Sequence, residues 1–433
     1  MDGSMQLDLQ SDPAKVSDRN RARWVPARFA SADEMYSFHA PEVYSDFIEK
    51  GTALVSLKSD VYCNEETSSV AARLSVGAVV DASINVMRGV ESLRRDSTLA
   101  LTDAPHLAYC LVRPPGHHCT SSQPSGFCLV NNVAVAAAQL RKQRVLALPS
   151  GVPRIAILDL DVHFGEGSAS FVEGVGDPQT LLYLSIHRYD RQRFYPFDLR
   201  GDSAYVGGSK NAATSSKGCI CNVAIHTDAN NPALCERVIS DLLMNSVLEE
   251  IFLPRLEQFL PDMVLVSLGF DAAYGDPLGK MAVEGGFASI VARLKHWCTQ
   301  EGRIVGLVVV LEGGYNPTSV AQGVVSVGLA LSLPRTDSVV QALVRERPPR
   351  VWADLRQRQE RQLRDWQQAQ KERAEDVAME TVAVPPGDGI LEAPHPPQQI
   401  PEDTELLGRH RRWCASLIER VKQIHRAALN GAV

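Results

Sequence analysis

Asp159, Asp161 and His163, spaced two apart, close an apolar run rich in branched side chains from Arg154 to Leu158. Such a run reads as a buried strand of a parallel sheet, and residues two apart on an extended chain leave it on the same side. Two carboxylates and an imidazole presented together suit a zinc-type cation, which accepts carboxylate oxygen and histidine nitrogen. A capped strand end carrying a solvated Asp and His is the alternative. Gly165 and Gly167 let the chain turn sharply just beyond. Asp271, after the apolar run Met263–Leu268, supplies the third ligand that a cation on Asp161 and His163 needs. Three protein ligands plus a water describe a catalytic centre rather than a closed structural one. A cation held that way brings the pKa of its water to about 7.

His117-His118 follows the turn Pro114-Pro115-Gly116. Asp159 and Glu166 could orient one histidine each, and an imidazole backed by a carboxylate serves proton transfer near neutral pH. A pair of satisfied loop histidines is the alternative. Tyr315, presented by Gly313-Gly314, could donate a hydrogen bond to an oxyanion forming on a carbonyl. The glycines beside it argue for backbone flexibility there, and a buried core aromatic is the alternative. Cys219-Ile220-Cys221 has no second close pair in the sequence and reads as strand-buried thiols.

The elements that must position these residues alternate. Strands are predicted at Leu107–Val112, Arg154–Leu158, Thr180–Ile186, Asn222–Ile225, Met263–Leu268 and Leu307–Leu311. Helices are predicted over Ser31–Ile48, with Ser31 or Asp33 as N-cap and Gly51 as the stop, and over Thr67–Val90, with Val70, Leu74, Gly77, Val80 and Ile84 on one face. Others follow at Asn131–Arg144, Pro232–Phe259 (kinked at Pro254), Val283–Gln300 and Thr318–Leu333. This order predicts an α/β fold of three layers, a mostly parallel central sheet with helices on both faces. Five strands deliver polar or aromatic residues just past their carboxyl ends, the edge where open α/β sheets bind ligands.

The 433 residues, 45% hydrophobic and 22% charged, are ordinary for a soluble globular chain. A net charge of −7 gives no basic surface for nucleic acid. No apolar run is expected to span a membrane, and Met1–Asn20 shows no secretory signal. The nine cysteines are scattered, several within apolar runs (Cys110, Cys128, Cys298). That favours buried thiols in a reducing compartment and an intracellular place, nucleus or cytoplasm or both. Residues 1–28 read as a flexible segment and 29–340 as the main domain. Residues 341–433 read as an extension: a charged helix (Arg345–Glu375), a Pro-rich linker (Val384–Pro401) and an amphipathic helix (Glu405–Leu429). The apolar stripe of that last helix, Leu406, Leu407, Trp413, Leu417, Val421 and Ile424, could dock on the domain or on a protein partner.

Five segments together resemble the zinc-dependent histone deacetylase family, in its order and at its spacing. They are Arg113-Pro-Pro-Gly-His-His118, Gly126-Phe-Cys128 with Asn131-Asn132, Asp159-Leu-Asp-Val-His163, Ser267-Leu-Gly-Phe-Asp271 with Gly275-Asp-Pro-Leu278, and Glu312-Gly-Gly-Tyr315-Asn316. The run His187-Arg-Tyr189 with Arg193-Phe-Tyr-Pro196 is similar to the class II branch, particularly its members acting on tubulin or polyamines. The resemblance implies the arginase/deacetylase fold and removal of acetyl groups from lysine side chains of histone or other proteins. It implies zinc on Asp161, His163 and Asp271, with His117 and His118 as paired general base and acid. It implies Asp159 behind His117 and Tyr315 polarising the carbonyl. Phe127, following Gly126, and Tyr195 match the aromatic walls of the lysine tunnel, and an aromatic pair suits an aliphatic stem. A potassium ion beside the zinc is implied at Asp159, Asp161, His163, Ser185 and Ile186.

The sequence departs from the family pattern in places. Glu166 replaces the usual Asp or Asn behind the second histidine, and Phe164 a common second His. The family's first strand and His-Pro-Glu-Arg-type loop have no evident counterpart in Met1–Arg28. Leu278 stands where the polyamine enzyme carries a Glu gatekeeper, which favours acetyl-lysine in a protein over a cationic polyamine. The alternatives are a deacylase of small molecules such as acetylpolyamines and a weakly active module that binds acetyl-lysine. A two-manganese arginase-like centre would need a further carboxylate where Gly165 stands.

Overall fold

The computed structural model describes residues 22–52, 61–143, 151–208, 217–227, 239–300, 302–333 and 404–429. Among them, six parallel strands form one sheet: β1 (Leu107–Cys110), β2 (Ile155–Asp159), β3 (Leu181–Arg188), β4 (Ile220–Ile225), β5 (Met263–Leu268) and β6 (Gly306–Leu311). Their spatial order is β1-β6-β5-β2-β3-β4. The sheet interior reads as continuous apolar sequence because both faces are covered. Ile155, Ile157, Tyr183, Leu265 and Val308 face one buried cluster; Ala156, Leu158, Leu184, Val266 and Val309 face the other.

The first cluster is closed by α1 (Ala32–Met35), α2 (Pro41–Ser45, running into the π-turn Asp46–Lys50), α3 (Ser68–Arg95), α4 (Asn132–Lys142) and α5 (Glu166–Val175). The second is closed by α6 (Asp241–Val247), α7 (Leu253–Phe259), α8 (Gly286–Cys298), α9 (Pro317–Ser332) and α10 (Thr404–Leu429). The three layers and the parallel sheet are therefore as the alternation of elements predicts, and they agree with the arginase/deacetylase fold that the resemblance implies.

Local chemistry sets the boundaries. Ser31 caps α1 in a capping box with Glu34, and Gly51 ends the π-turn at φ 74. The stretch expected to be one helix breaks at Pro41, which stands at the first turn of α2. Residues 241–259 stay helical, but a π-turn, Leu248–Phe252, leads into Pro254; residues 228–238 lie outside the described part.

Helix α3 buries only part of the face expected, Gly77 and Val80, and the rest of its core face is carried by other residues. Val70 is exposed and Leu74 and Ile84 half-buried, whereas Ala72, Ser75, Val76, Val79, Ser83, Val86 and Val90 face the core. Large apolar residues suggest one stripe, but small ones decide which face can approach. A Cβ at Gly77 would lie 2.0 Å from the Arg28 carbonyl oxygen, and one at Gly89 1.7 Å from that of Pro105. By length and composition alone α3 could also cross a membrane, although Arg73, Asp81 and Arg88 interrupt its apolar run. Its packing against α4, β1 and β6 makes it a core helix of the sandwich.

Of the two destinations expected for the C-terminal amphipathic helix, the domain is the one observed. Cys414, Leu417, Ile418 and Val421 are buried against the second cluster, and Lys422 pairs with Glu250 at 3.0 Å. The charged helix and Pro-rich linker expected over residues 345–401 lie outside the described residues.

Candidate metal and catalytic site

The order of strands locates the site. Sequence runs outward from β2 through β3 to β4, returns to β5 and then runs outward to β6, so β2 and β5 flank the point where the winding reverses. Their carboxyl ends are level, with Asp159 opposite Ser267. Crevices at such points are where α/β sheets bind ligands. Asp161 and His163 come off β2 and Asp271 off β5, on the two sides of that crevice.

The three residues meet. His163 Nδ1 lies 3.1 Å from Asp161 Oδ1 and 3.1 Å from Asp271 Oδ2, and one donor atom from each residue lies within 4.8 Å of the others. All three are buried. The remaining carboxylate capacity is aimed by the backbone: Asp161 accepts from Gly313 N (3.0 Å) and His163 N (2.9 Å), and Asp271 from Val162 N (3.0 Å). Burial opposes charge on His163, but its two carboxylate bonds prevail and raise it to about 9. Burial, and then Asp161, push Asp271 up to about 7.

The donor set fits a zinc-type ion, since two carboxylate oxygens and one imidazole nitrogen converge with water excluded on their protein side. The backbone makes room for it. A Cβ at Gly269 would lie 1.9 Å from Asp161 Oδ2, and one at Gly313 2.4 Å from Asp271 Oδ2. At Gly165 a Cβ would lie 2.2 Å from Asp159 Oδ2 and 2.9 Å from His117 Nδ1, which leaves no space for the extra carboxylate of a two-manganese centre.

Beside the cluster stand the two histidines, rings 4.0 Å apart. His117 Nδ1 donates to Asp159 Oδ2 at 3.2 Å, and its Nε2 lies 3.7 Å from Asp161 Oδ1. His118 Nδ1 donates to Glu166 Oε2 at 2.6 Å, so the longer side chain at 166 reaches its target from the first turn of α5. Burial works against a charge on His117, yet Asp161 and Asp159 outweigh it and hold the group well above its ordinary value. Burial, then His117 and His163, hold His118 well below. Environments that push two neighbouring groups apart mark separate proton-handling roles.

The opening is walled by aromatic rings. Tyr195 stands edge-on to His118 (5.0 Å) and His163 (6.0 Å), and its hydroxyl lies 2.6 Å from Ser125 Oγ. Phe127, 46% exposed, packs edge-on to Tyr315 at 5.6 Å. Gly126 sits between the walls, where a Cβ would lie 2.3 Å from His118 and 3.0 Å from Tyr195. Leu278 is 42% exposed and its backbone is tied to Asp276. Burial keeps the Tyr315 hydroxyl protonated, with Asp271 and Asp161 adding to the effect.

The glycines before Tyr315 do not serve the flexibility expected of them. Gly313 bonds Asp161 and Phe270, Gly314 bonds Arg113 while adopting φ 124, and Tyr315 N is held by Asp276 Oδ2 at 2.8 Å. They allow close approach and an unusual backbone angle in a pinned segment.

Ser185 lies level with Asp159 on β3 and is bonded to His187 Nδ1 at 2.8 Å, and Ile186 is buried in the second cluster.

Several contributors carried no assigned role at the level of sequence. Glu312 is fully buried; its Oε2 accepts from Gly116 N (2.6 Å) and His117 N (3.2 Å), and its Oε1 from Ser267 Oγ (2.9 Å). Arg113 donates to the carbonyls of Glu312 and Gly314. Tyr183 Oη donates to Asp159 Oδ2 at 2.9 Å, and Phe194 stacks on His163 at 5.0 Å. A charged residue ending the apolar run Leu307–Leu311 was the one available signal for Glu312; the others are long-range contacts without a local pattern.

Comparisons with known proteins bear on the family and the fold. A histone deacetylase domain is matched over residues 7–331. Histone deacetylase HDA1 of Saccharomyces cerevisiae is 33% identical over 316 residues, 71% of this chain and 39% of the relative. Polyamine deacetylase HDAC10 of Homo sapiens is 33% identical over 311 residues, 69% of this chain and 40% of the relative. The matches thus span about two fifths of these relatives' length. A crystal structure of the HDA15 HD domain aligns with TM-score 0.56 and 30% identity, covering 74% of this chain and 80% of that one.

Proposed function

The chain belongs to the histone deacetylase family, and from that premise we propose that it hydrolyses the amide of N6-acetyl-lysine in protein substrates with the help of zinc, releasing acetate. The observation that carries this reading is the convergence at one opening of Asp161, His163 and Asp271, two carboxylate-backed histidines and Tyr315. Zinc on those three ligands would supply Lewis-acid polarisation of the carbonyl and the attacking water.

The protein residues divide the remaining work. Phe127 and Tyr195 clasp the aliphatic stem of the lysine. His118, neutral and with its Nδ1–H committed to Glu166, takes a proton from the attacking water at Nε2. His117, kept charged by Asp159 and Asp161, stabilises negative charge as it develops. The Tyr315 hydroxyl donates to the forming oxyanion. His118 then returns its proton to the departing amine. Potassium at Asp159, Asp161, His163, Ser185 and Ile186, and a catalytic unit spanning 29–340, belong to the same proposal. So does an intracellular setting.

Leu278 at the mouth offers no carboxylate to a cationic polyamine, which supports a protein substrate. The test is a full-length preparation in which bound zinc is measured and an acetyl-lysine peptide is compared with acetylspermidine, with and without a hydroxamate. Stoichiometric zinc, lost in Asp271→Ala, and hydroxamate-sensitive turnover favouring the peptide are expected. Turnover of acetylspermidine alone would make the chain a small-molecule deacylase, and peptide binding without turnover a recognition module.

A further inference from the structure

Phe197 is an aromatic at the mouth that the reaction does not use. It is 55% exposed and sits at φ 64. The left-handed region is disfavoured for any residue with a Cβ, and a ring 55% exposed recovers only part of its burial energy, so core packing does not call for either feature. The backbone is nonetheless fixed: Phe197 N donates to the Phe194 carbonyl at 3.0 Å, and its own carbonyl accepts from Gln192 Nε2 at 2.7 Å. Asp190, Arg191 and Gln192 also have positive φ, at 51, 54 and 66. Backbone held in such regions by its surroundings concentrates at ligand contacts. Phe127, across the opening, shows the same combination, with φ 64 and 46% exposure.

Position supplies the second argument. The Phe197 ring lies 5.8 Å from Tyr195 at 76°, and Tyr195 lies 5.0 Å from His118. A ladder of rings therefore climbs from the buried His118, 3% exposed, through the half-buried Tyr195 to the exposed Phe197. A lysine stem clasped between Phe127 and Tyr195 brings the substrate backbone across the outer end of that ladder. Its neighbouring side chains then meet Phe197, and Leu199, two residues on, is also exposed and apolar.

We propose that Phe197 is a specificity-determining residue that packs against an apolar side chain next to the acyl-lysine of a protein substrate. The inference rests on the proposed function and deepens it. One added apolar contact in a site is worth about 10–200-fold in kcat/KM, and a half-open lip belongs at the lower end.

The test uses the full-length, zinc-loaded protein and two acetyl-lysine peptides that differ only in the flanking residue, Leu or Ser. The wild type is expected to favour the Leu peptide about tenfold in kcat/KM. Phe197→Ala should bring the ratio near one, and Phe197→Trp should keep it. A ratio within one preparation is insensitive to partial unfolding. Peptide turnover with no flank preference, or a preference that survives Phe197→Ala, overturns this inference alone. A Phe197→Ala effect confined to dissociation of a dimer on gel filtration also overturns it, because the lip would then face a second copy. Absence of peptide turnover overturns the functional reading and this one together.

Discussion

Replacing Glu312 tests whether the histidine loop is held by a buried acceptor rather than by its own turn. The carboxyl takes two backbone N–H bonds, from Gly116 and His117, and one hydroxyl bond from Ser267, and is fully buried. Glu312→Ala leaves two buried amides without partners. Each costs about 1–3 kcal/mol, so a loss of roughly 2–6 kcal/mol is expected before any cavity contribution. Glu312→Gln should behave differently. Its amide oxygen can still accept from both N–H groups, and its amide nitrogen can donate to Ser267 Oγ. Burial lifts the carboxyl to about 7 even against His117 and three hydrogen bonds, so the neutral acid is close in free energy to the ion near neutral pH. The sign follows. A carboxyl whose folded pKa exceeds its unfolded value of about 4.5 makes the wild type lose stability as pH rises from 4.5 to 7. Gln does not titrate, so its deficit should shrink over that window. Urea denaturation from pH 5 to 8 reads both effects, and amide exchange at Gly116 and His117 reads the local one. An Ala variant within about 1 kcal/mol of wild type with full amide protection would refute the reasoning.

Tyr315→Phe keeps the ring against Phe127 and removes only the hydroxyl. A fall of about 100–1000-fold in kcat with little change in KM is expected, by analogy with loss of one oxyanion donor, and is checked by steady-state kinetics. Burial lowers His39 to about 3, and His187 and His425 to about 4. The unfolded chain therefore takes up protons first, and stability that is complete above about pH 6.5 should decline through pH 4; Tm against pH measures it, and His39→Gln should flatten part of the slope. Val421→Asp puts an unpaired charge at a fully buried position of α10 on the second cluster. Amide protection of residues 413–426 should collapse while that of β2 and β5 survives, as hydrogen exchange would show.

What the sequence reveals about this site divides along one physical line. Strand ends announce themselves: Asp159, Asp161, His163, Asp271 and Tyr315 each follow an apolar run, and a parallel sheet brings such ends to one edge whatever the order of strands. That is why candidate ligands 108 to 110 residues apart group together from the sequence. Groups that work by touching something remote have no such signature. Tyr183 lies inside a strand and reads as core, yet its hydroxyl fixes the carboxylate behind His117. Phe194 reads as loop, yet it is the shelf under His163. Helix α5 is not legible because Gly165-Glu-Gly-Ser reads as a turn, although Glu166 at its first turn both starts the helix and reaches His118. The core face of α3 is only partly legible for a related reason, since hydrophobic patterning weighs size while close approach favours small residues such as Ser75, Ser83 and Gly89. Periodicity reports which side of an element is apolar. It does not report which side another backbone must touch, and in this chain those close approaches, at Gly313 against Asp271 and at Gly165 against Asp159, hold the donor atoms in place.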